Sequence, residues 1–179
     1  MKKHLVLLPF LLLFTACSEK LHVSSDYDKR VDFSTYQTFA WAPDQEEPGK
    51  ANPMFDNEMN RKRIKEAIER ELTALGLTRF DWAPHLLIDF HITIDEQVDY
   101  AVHDYYPFGF RYWPEYNVAT RYFKKGVLII HIVDTKKEQL VWQGIGSKTL
   151  DELPPDDVEE RIERAVKSIL AQYPSTRKN

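Results

Sequence analysis

Cysteine is nearly missing from this chain. Cys17 is the only one among 179 residues, so no internal disulfide holds the fold together. Charge is not concentrated either: 24 basic and 28 acidic side chains leave a formal charge of -4, and no basic block interleaves with the aromatics, so nucleic acid is not an expected partner. A Gly-x-Ser-x-Gly elbow is absent. Gly144-Ile145-Gly146 lacks the third glycine and the following helix of a dinucleotide loop, and reads instead as glycine letting a strand bend or another backbone approach. No close-spaced His-Glu or Cys motif marks a metal centre. The chain therefore gives no reason to expect a catalytic residue, a cofactor or an enzyme. With 43% hydrophobic residues it is long enough for one domain with a real core, and too short for two comfortable ones.

The first informative stretch is the N-terminus. Lys2 and Lys3 precede an apolar run at residues 5–14, and Thr15-Ala16 places small residues before Cys17. That order is a charged region, a hydrophobic region and a cleavage site, the layout of an export signal. The run of ten is too short to span a bilayer as a helix, which takes roughly 20 apolar residues. Phe14-Thr15-Ala16-Cys17 resembles a bacterial lipobox, with Phe14 in place of the usual leucine. The resemblance implies that residues 1–16 are a lipoprotein signal peptide, that Cys17 is the lipidated residue, and that residues 17–20 are a short linker. Ser18 after the cysteine is similar to lipoproteins sorted to the outer membrane. The implied location is the periplasmic face of that membrane, held by an N-terminal lipid anchor.

Residues 126–150 organise the rest. Two apolar, β-branched runs, 127–133 and 140–145, flank a polar connector at 134–139, which reads as a β-hairpin. The first run is apolar on both faces, with Val127, Ile129 and Val133 against Leu128, Ile130 and Ile132, so it belongs inside a sheet. Residues 21–27 read as a first strand and 33–41 as a second starting near Thr35. Asn52-Pro53 predicts a helix start, Ile64, Ala67, Ile68, Leu72 and Leu75 recur at helical spacing, and Gly76 ends the helix. The basic cluster Arg61-Lys62-Arg63-Lys65 is followed by Glu66, Glu69 and Glu71, which predicts a solvated face with i,i+4 pairs such as Lys62 with Glu66. After Pro84 the clearest strand alternates Leu86, Ile88, Phe90, Ile92 and Ile94 with Asp89, His91, Thr93 and Asp95. A capping box at Asp156 and Glu159 predicts a last helix, with Val158, Ile162, Ala165, Val166 and Ile169 inside and Pro174 as its stop. The expected architecture is a single α+β domain over 21–174, with one mainly antiparallel sheet and two helices packed on one face, followed by a frayed tail at 175–179.

Three passages resemble the bacterial lipoproteins grouped as domain-of-unknown-function family 4136. They are Asp32-Phe33-Ser34-Thr35-Tyr36-Gln37-Thr38-Phe39-Ala40-Trp41; Gly126-Val127-Leu128-Ile129 with Ile132-Val133-Asp134 and Leu140-Val141-Trp142-Gln143-Gly144; and the closing helix ending near Tyr173-Pro174. With the Gly76 turn and the Pro84-led strand, the resemblance covers almost the whole mature chain. It implies a small α+β lipoprotein and transfers no catalytic residue.

Two places remain where chemistry could sit. Residues 98–123 break every period and hold ten aromatics from Tyr100 onward, punctuated by Pro107, Gly109 and Pro114, which reads as a long loop or lid. Its Tyr105, Tyr106, Phe110, Tyr112 and Trp113 are the candidate binding surface, since rings with polar tips suit an envelope protein, a peptide, a glycan or a lipid. Covering the open sheet face is the competing role for the same rings. The second place is the wet strand face, where Asp89 and His91 would meet His131 if their strands are neighbours. Two imidazoles and a carboxylate are a fair ligand set for zinc. Polar alternation is also what any solvated sheet face contains, so no metal is expected there. The two functional readings are thus a non-enzymatic binding or envelope-structural lipoprotein, and a small metal-dependent hydrolase using the polar face.

Overall fold

Strict alternation of apolar and polar residues sends one set to each side of an extended chain, and that pattern dominates the sheet here. The computed structural model describes residues 20–43, 48, 52–103, 117–150 and 156–174. In chain order the elements are β1 (His22–Tyr27), a 3-10 turn (Phe33–Thr35), β2 (Thr38–Trp41), α1 (Glu58–Ala74), β3 (Thr78–Arg79), β4 (Leu86–His103), β5 (Asn117–Asp134), β6 (Gln139–Leu150) and α2 (Val158–Leu170). The six strands form one sheet in the order β1-β6-β5-β4-β2-β3. Among the described residues no helix is long and apolar enough to cross a membrane.

The hairpin is present, with β5 paired antiparallel to β6 and lying between β6 and β4. The sheet itself corrects the expectation of a mainly antiparallel one: it is mixed. β1, β6, β5 and β4 run antiparallel in succession, but β2 lies parallel to both β4 and β3. The reason is α1, which carries the chain back between β2 and β3 as a parallel connection requires. β3, two residues long, has too little alternation to be seen in the sequence.

Other local corrections have local causes. Residues 33–35 curl into a 3-10 turn rather than starting β2, because the Asp32 carboxylate accepts bonds from the Ser34 backbone N–H at 3.0 Å and the Ser34 hydroxyl at 2.6 Å. Asn52-Pro53 opens only a single turn. The helix proper starts at Glu58, where the Asn57 side chain caps the Asn60 N–H at 2.9 Å. The cap of α2 is Asp157, which makes no capping bond because its carboxylate is turned to Arg161 at 2.8 Å. Gly76 meets expectation: its φ of 94° lets the Leu77 N–H reach the Leu72 carbonyl and the Gly76 N–H reach that of Thr73, which closes α1. Residues 98–103 and 117–123 are strand rather than loop, and the ladder continues to His103 opposite Asn117. Backbone pairing tolerates an irregular side-chain pattern when aromatic and β-branched residues supply strand propensity.

The core is built from the parity of Leu86, Ile88 and Phe90, with Ile130, Ile132 and Trp142 beside them, and from Ile64, Ile68 and Leu72 of α1 and Val166, Ile169 and Leu170 of α2, all buried. Gly144 and Gly146 are the close-approach points. A Cβ on Gly144 would come within 2.5 Å of Ile169 Cγ2 and also strike the Trp142 ring, and one on Gly146 would lie 2.7 Å from Ile169 Cδ1, so β6 is kept bare to admit α2. A bulge between Ile132 and Val133 lets both Val141 and Trp142 be buried in succession.

Arg61 also departs from expectation. Instead of facing water with Lys62, it is buried, donates to both oxygens of buried Asp56 at 2.6 and 2.9 Å, and lies 5.6 Å above the Phe90 ring. The cluster is thus split, since Lys62 does pair with Glu66 in solvent at 3.9 Å.

A buried carboxylate ties the first two of the family-like passages together. Asp134, at the β5–β6 turn, accepts a 2.7 Å bond from the Tyr36 hydroxyl and bonds from the backbone N–H groups of Lys136 and Lys137 at 2.9 and 3.0 Å. Burial acts to raise its pKa, but the Tyr36 hydroxyl, the two N–H groups and the Lys137 ammonium outweigh it, and the carboxyl is held below its ordinary 3.8. The sign follows: a depressed folded pKa stabilises the fold at pH above 3.8, and that contribution is lost as pH falls through the lower folded value. Tyr36→Phe is expected to cost about 1.5–3 kcal/mol of unfolding free energy at neutral pH, the worth of a hydrogen bond to a charged group. It should also flatten the acid limb of stability against pH. Denaturant titrations of both proteins from neutral pH into acid check this, and identical curves would contradict the role given to Asp134.

Candidate functional site

The length of the strands sets up the sites. β4 and β5 have 18 residues each, which at the strand rise is about 60 Å, whereas α1 with 17 and α2 with 13 residues span only about 26 and 20 Å. Neither helix can follow the strands to their ends. The core parity continues past Phe90 and Ile130 into Ile92, Ile94 and Leu128, which are only half-buried.

There the structure opens a cavity of about 760 Å³. Its walls include Ile94 and Leu128 from the strands, Leu150 at the end of β6, Ile64 of α1 and Ile162 of α2, with Leu21 just before β1. Among the described residues Lys20, Lys148, Arg161 and Arg164 also line it with Asp157, and Arg164 is paired with Glu160 as well as with Asp157. The Arg161 guanidinium, bonded to Asp157 at 2.8 Å, holds that carboxyl below its ordinary range. Among the described residues the walls are largely apolar, and with Arg161 and Arg164 paired to carboxylates it is Lys20 and Lys148 that add positive charge, an arrangement that suits an apolar chain carrying an anionic end. Nothing in residue spacing announced it; the signal available was the mismatch between long apolar strands and short helices.

The opposite parity holds the polar cluster. Asp89 on β4 stands directly across from His131 on β5, and His91 follows two residues later on the same side. His91 Nε2 is 3.1 Å from Asp89 Oδ2, the rings of His91 and His131 are 5.1 Å apart at 61°, and one ligand atom from each of the three residues lies within 4.8 Å of the others. Gln143 of β6 sits opposite His131, its Oε1 3.1 Å from His131 Nε2. The three residues singled out from the sequence are therefore brought together, because β4 and β5 are neighbours in matching register. No hydroxyl or thiol nucleophile belongs to the cluster.

Cys17 and Tyr105, Tyr106, Phe110, Tyr112 and Trp113 lie outside the described residues, as do residues 1–16, which were expected to be a signal peptide, and residues 175–179. The ladder from Leu86 to His103 and back from Asn117 brings the chain to either end of the aromatic segment. Exposed aromatics that the sequence reading passed over are Phe80 and Trp82, in the connection between β3 and β4.

A family model described as a domain of unknown function (DUF4136) matches residues 23–175. No curated protein matches the chain. Among solved structures, a PDZ domain protein from Parabacteroides distasonis superposes with a TM-score of 0.56 at 21% identity, over 89% of this chain and 37% of that one. The chain thus spans well under half of that protein, and the likeness is one of fold. The PelC dodecamer from Paraburkholderia phytofirmans is similar over 85% of this chain and 96% of that one, with 9% identity and a TM-score of 0.49. The family match runs from within β1 to just past α2, and the chain belongs to the DUF4136 family.

Proposed function

Starting from membership of that family, we propose that the chain is a lipid-anchored, non-enzymatic binding module of the bacterial outer membrane. Both helices lie on one face of the sheet, and its ligand is an amphiphile with an acyl chain and an anionic end. The cavity carries this reading. Its volume of about 760 Å³ falls within the roughly 300–1,000 Å³ of small-molecule sites. An acyl chain entering it gains about 0.8 kcal/mol for each methylene buried, and Lys20 and Lys148 offer charge to the head. Lys20 and Leu21, which line the cavity, follow Cys17 by three and four residues. A lipid on Cys17 would therefore hold the cavity close to the bilayer, where such ligands are. A single acyl chain anchors only marginally, and several anchor firmly.

Two measurements test the two halves of this reading. Cells expressing Cys17→Ser should incorporate no labelled palmitate into the protein, and retained label would exclude the anchor. For the cavity, the full chain in lipid nanodiscs should crosslink to a photoreactive fatty acid through residues of β4, β5 and α2. Plugging the space with Leu128→Trp and Ile162→Trp should cut that crosslinking at least tenfold while leaving the melting temperature within a few degrees, because both side chains are only half-buried. Crosslinking unaffected by the plug would remove the cavity as the binding site.

A further inference from the structure

The sheet face that bears Asp89, His91 and His131 is mixed, with Thr93, Asp95, Lys125 and Ser147 on the same parity farther along. Leu87, Ile129, Val133 and Ile145 share its parity and are half-buried. Flanked by these apolar side chains, two imidazoles and a carboxylate come together on adjacent, fully paired strands.

We propose that Asp89, His91 and His131 form a binding site for a divalent transition-metal ion of the zinc class, with its remaining coordination positions open to solvent. Ligand bonds of about 2.0–2.2 Å put donor atoms about 3.4 Å apart around a tetrahedral ion. Asp89 and His91 already meet that spacing at 3.1 Å, and the set as a whole lies within 4.8 Å, a gap that side-chain rotation closes without moving the strands. Two nitrogen donors out of three select zinc, copper or nickel over magnesium and calcium, which take oxygen. Gln143 completes the arrangement. In the tautomer whose Nε2–H donates a hydrogen bond to Gln143 Oε1, His131 keeps its Nδ1 lone pair for the ion, the tautomer-fixing role that outer partners of metal-bound histidines play. The site lies on the other parity of the sheet from the acyl cavity and does not depend on it.

The test is a zinc titration of the full chain, without a histidine tag or chelator, near neutral pH. One saturable equivalent is expected. His91→Ala and His131→Ala should each weaken binding at least a hundredfold, and Gln143→Leu about tenfold, the usual worth of an outer partner. Because these substitutions could disturb the sheet, the unmodified protein supplies a second reading: ring-nitrogen NMR signals of His91 and His131 should shift with the first equivalent while those of His85 stay. Failure to reach saturation, affinity unchanged in both alanine variants, or a shift confined to other histidines would overturn the site.

Discussion

The antiparallel ladder between β4 and β5 is the constraint on which the rest depends. It pairs Leu86 with Asp134 at one end and His103 with Asn117 at the other without a break in register. Because side chains alternate, this single register fixes three things at once. It stacks Phe90 beside Ile130 in the core, sets Asp89 opposite His131 on the other parity, and carries Ile92 and Ile94 into the cavity wall beside the N-terminal halves of the two helices. A slip of one residue would exchange the two parities and destroy all three.

Much of this was legible because the sequence is locally consistent. Alternation after Pro84 located β4, apolar residues on both parities of 127–133 located an interior strand, and helical spacing with Gly76 located α1 and its end. What failed to show follows from interactions that spacing does not encode. The parallel placement of β2 is a property of the crossover through α1. The 3-10 turn at Phe33 arises from one carboxylate competing for backbone donors. Arg61 leaves the solvated face because Asp56, five residues earlier, waits for it inside. The continuation of β4 and β5 through 98–103 and 117–123 rests on backbone pairing, which an aperiodic run of aromatics does not advertise.

The candidate sites divide in the same way. The His and Asp cluster was readable as a conditional statement, since its members lie on predicted strands and needed only adjacency. The cavity was not readable, because empty space comes from the difference in length between elements rather than from any residue type. The Tyr36 bond to Asp134 joins residues 98 positions apart, and both stand in the passages that resemble the family. A structural knot is thus a sufficient reason for that part of the pattern, without any catalytic role.

The central claim is that the sheet outruns its helices, so that one part of β5 is core and the next part is the wall of a binding cavity. Hydrogen exchange along β5 in the full chain tests it most directly, because every one of these amides sits in a paired strand and only packing distinguishes them. Amides around Ile130 and Ile132 should exchange only with global unfolding. Those between Lys124 and Leu128 should exchange faster and slow down when a fatty acid is added. Uniform protection along the strand, unchanged by the fatty acid, would contradict it.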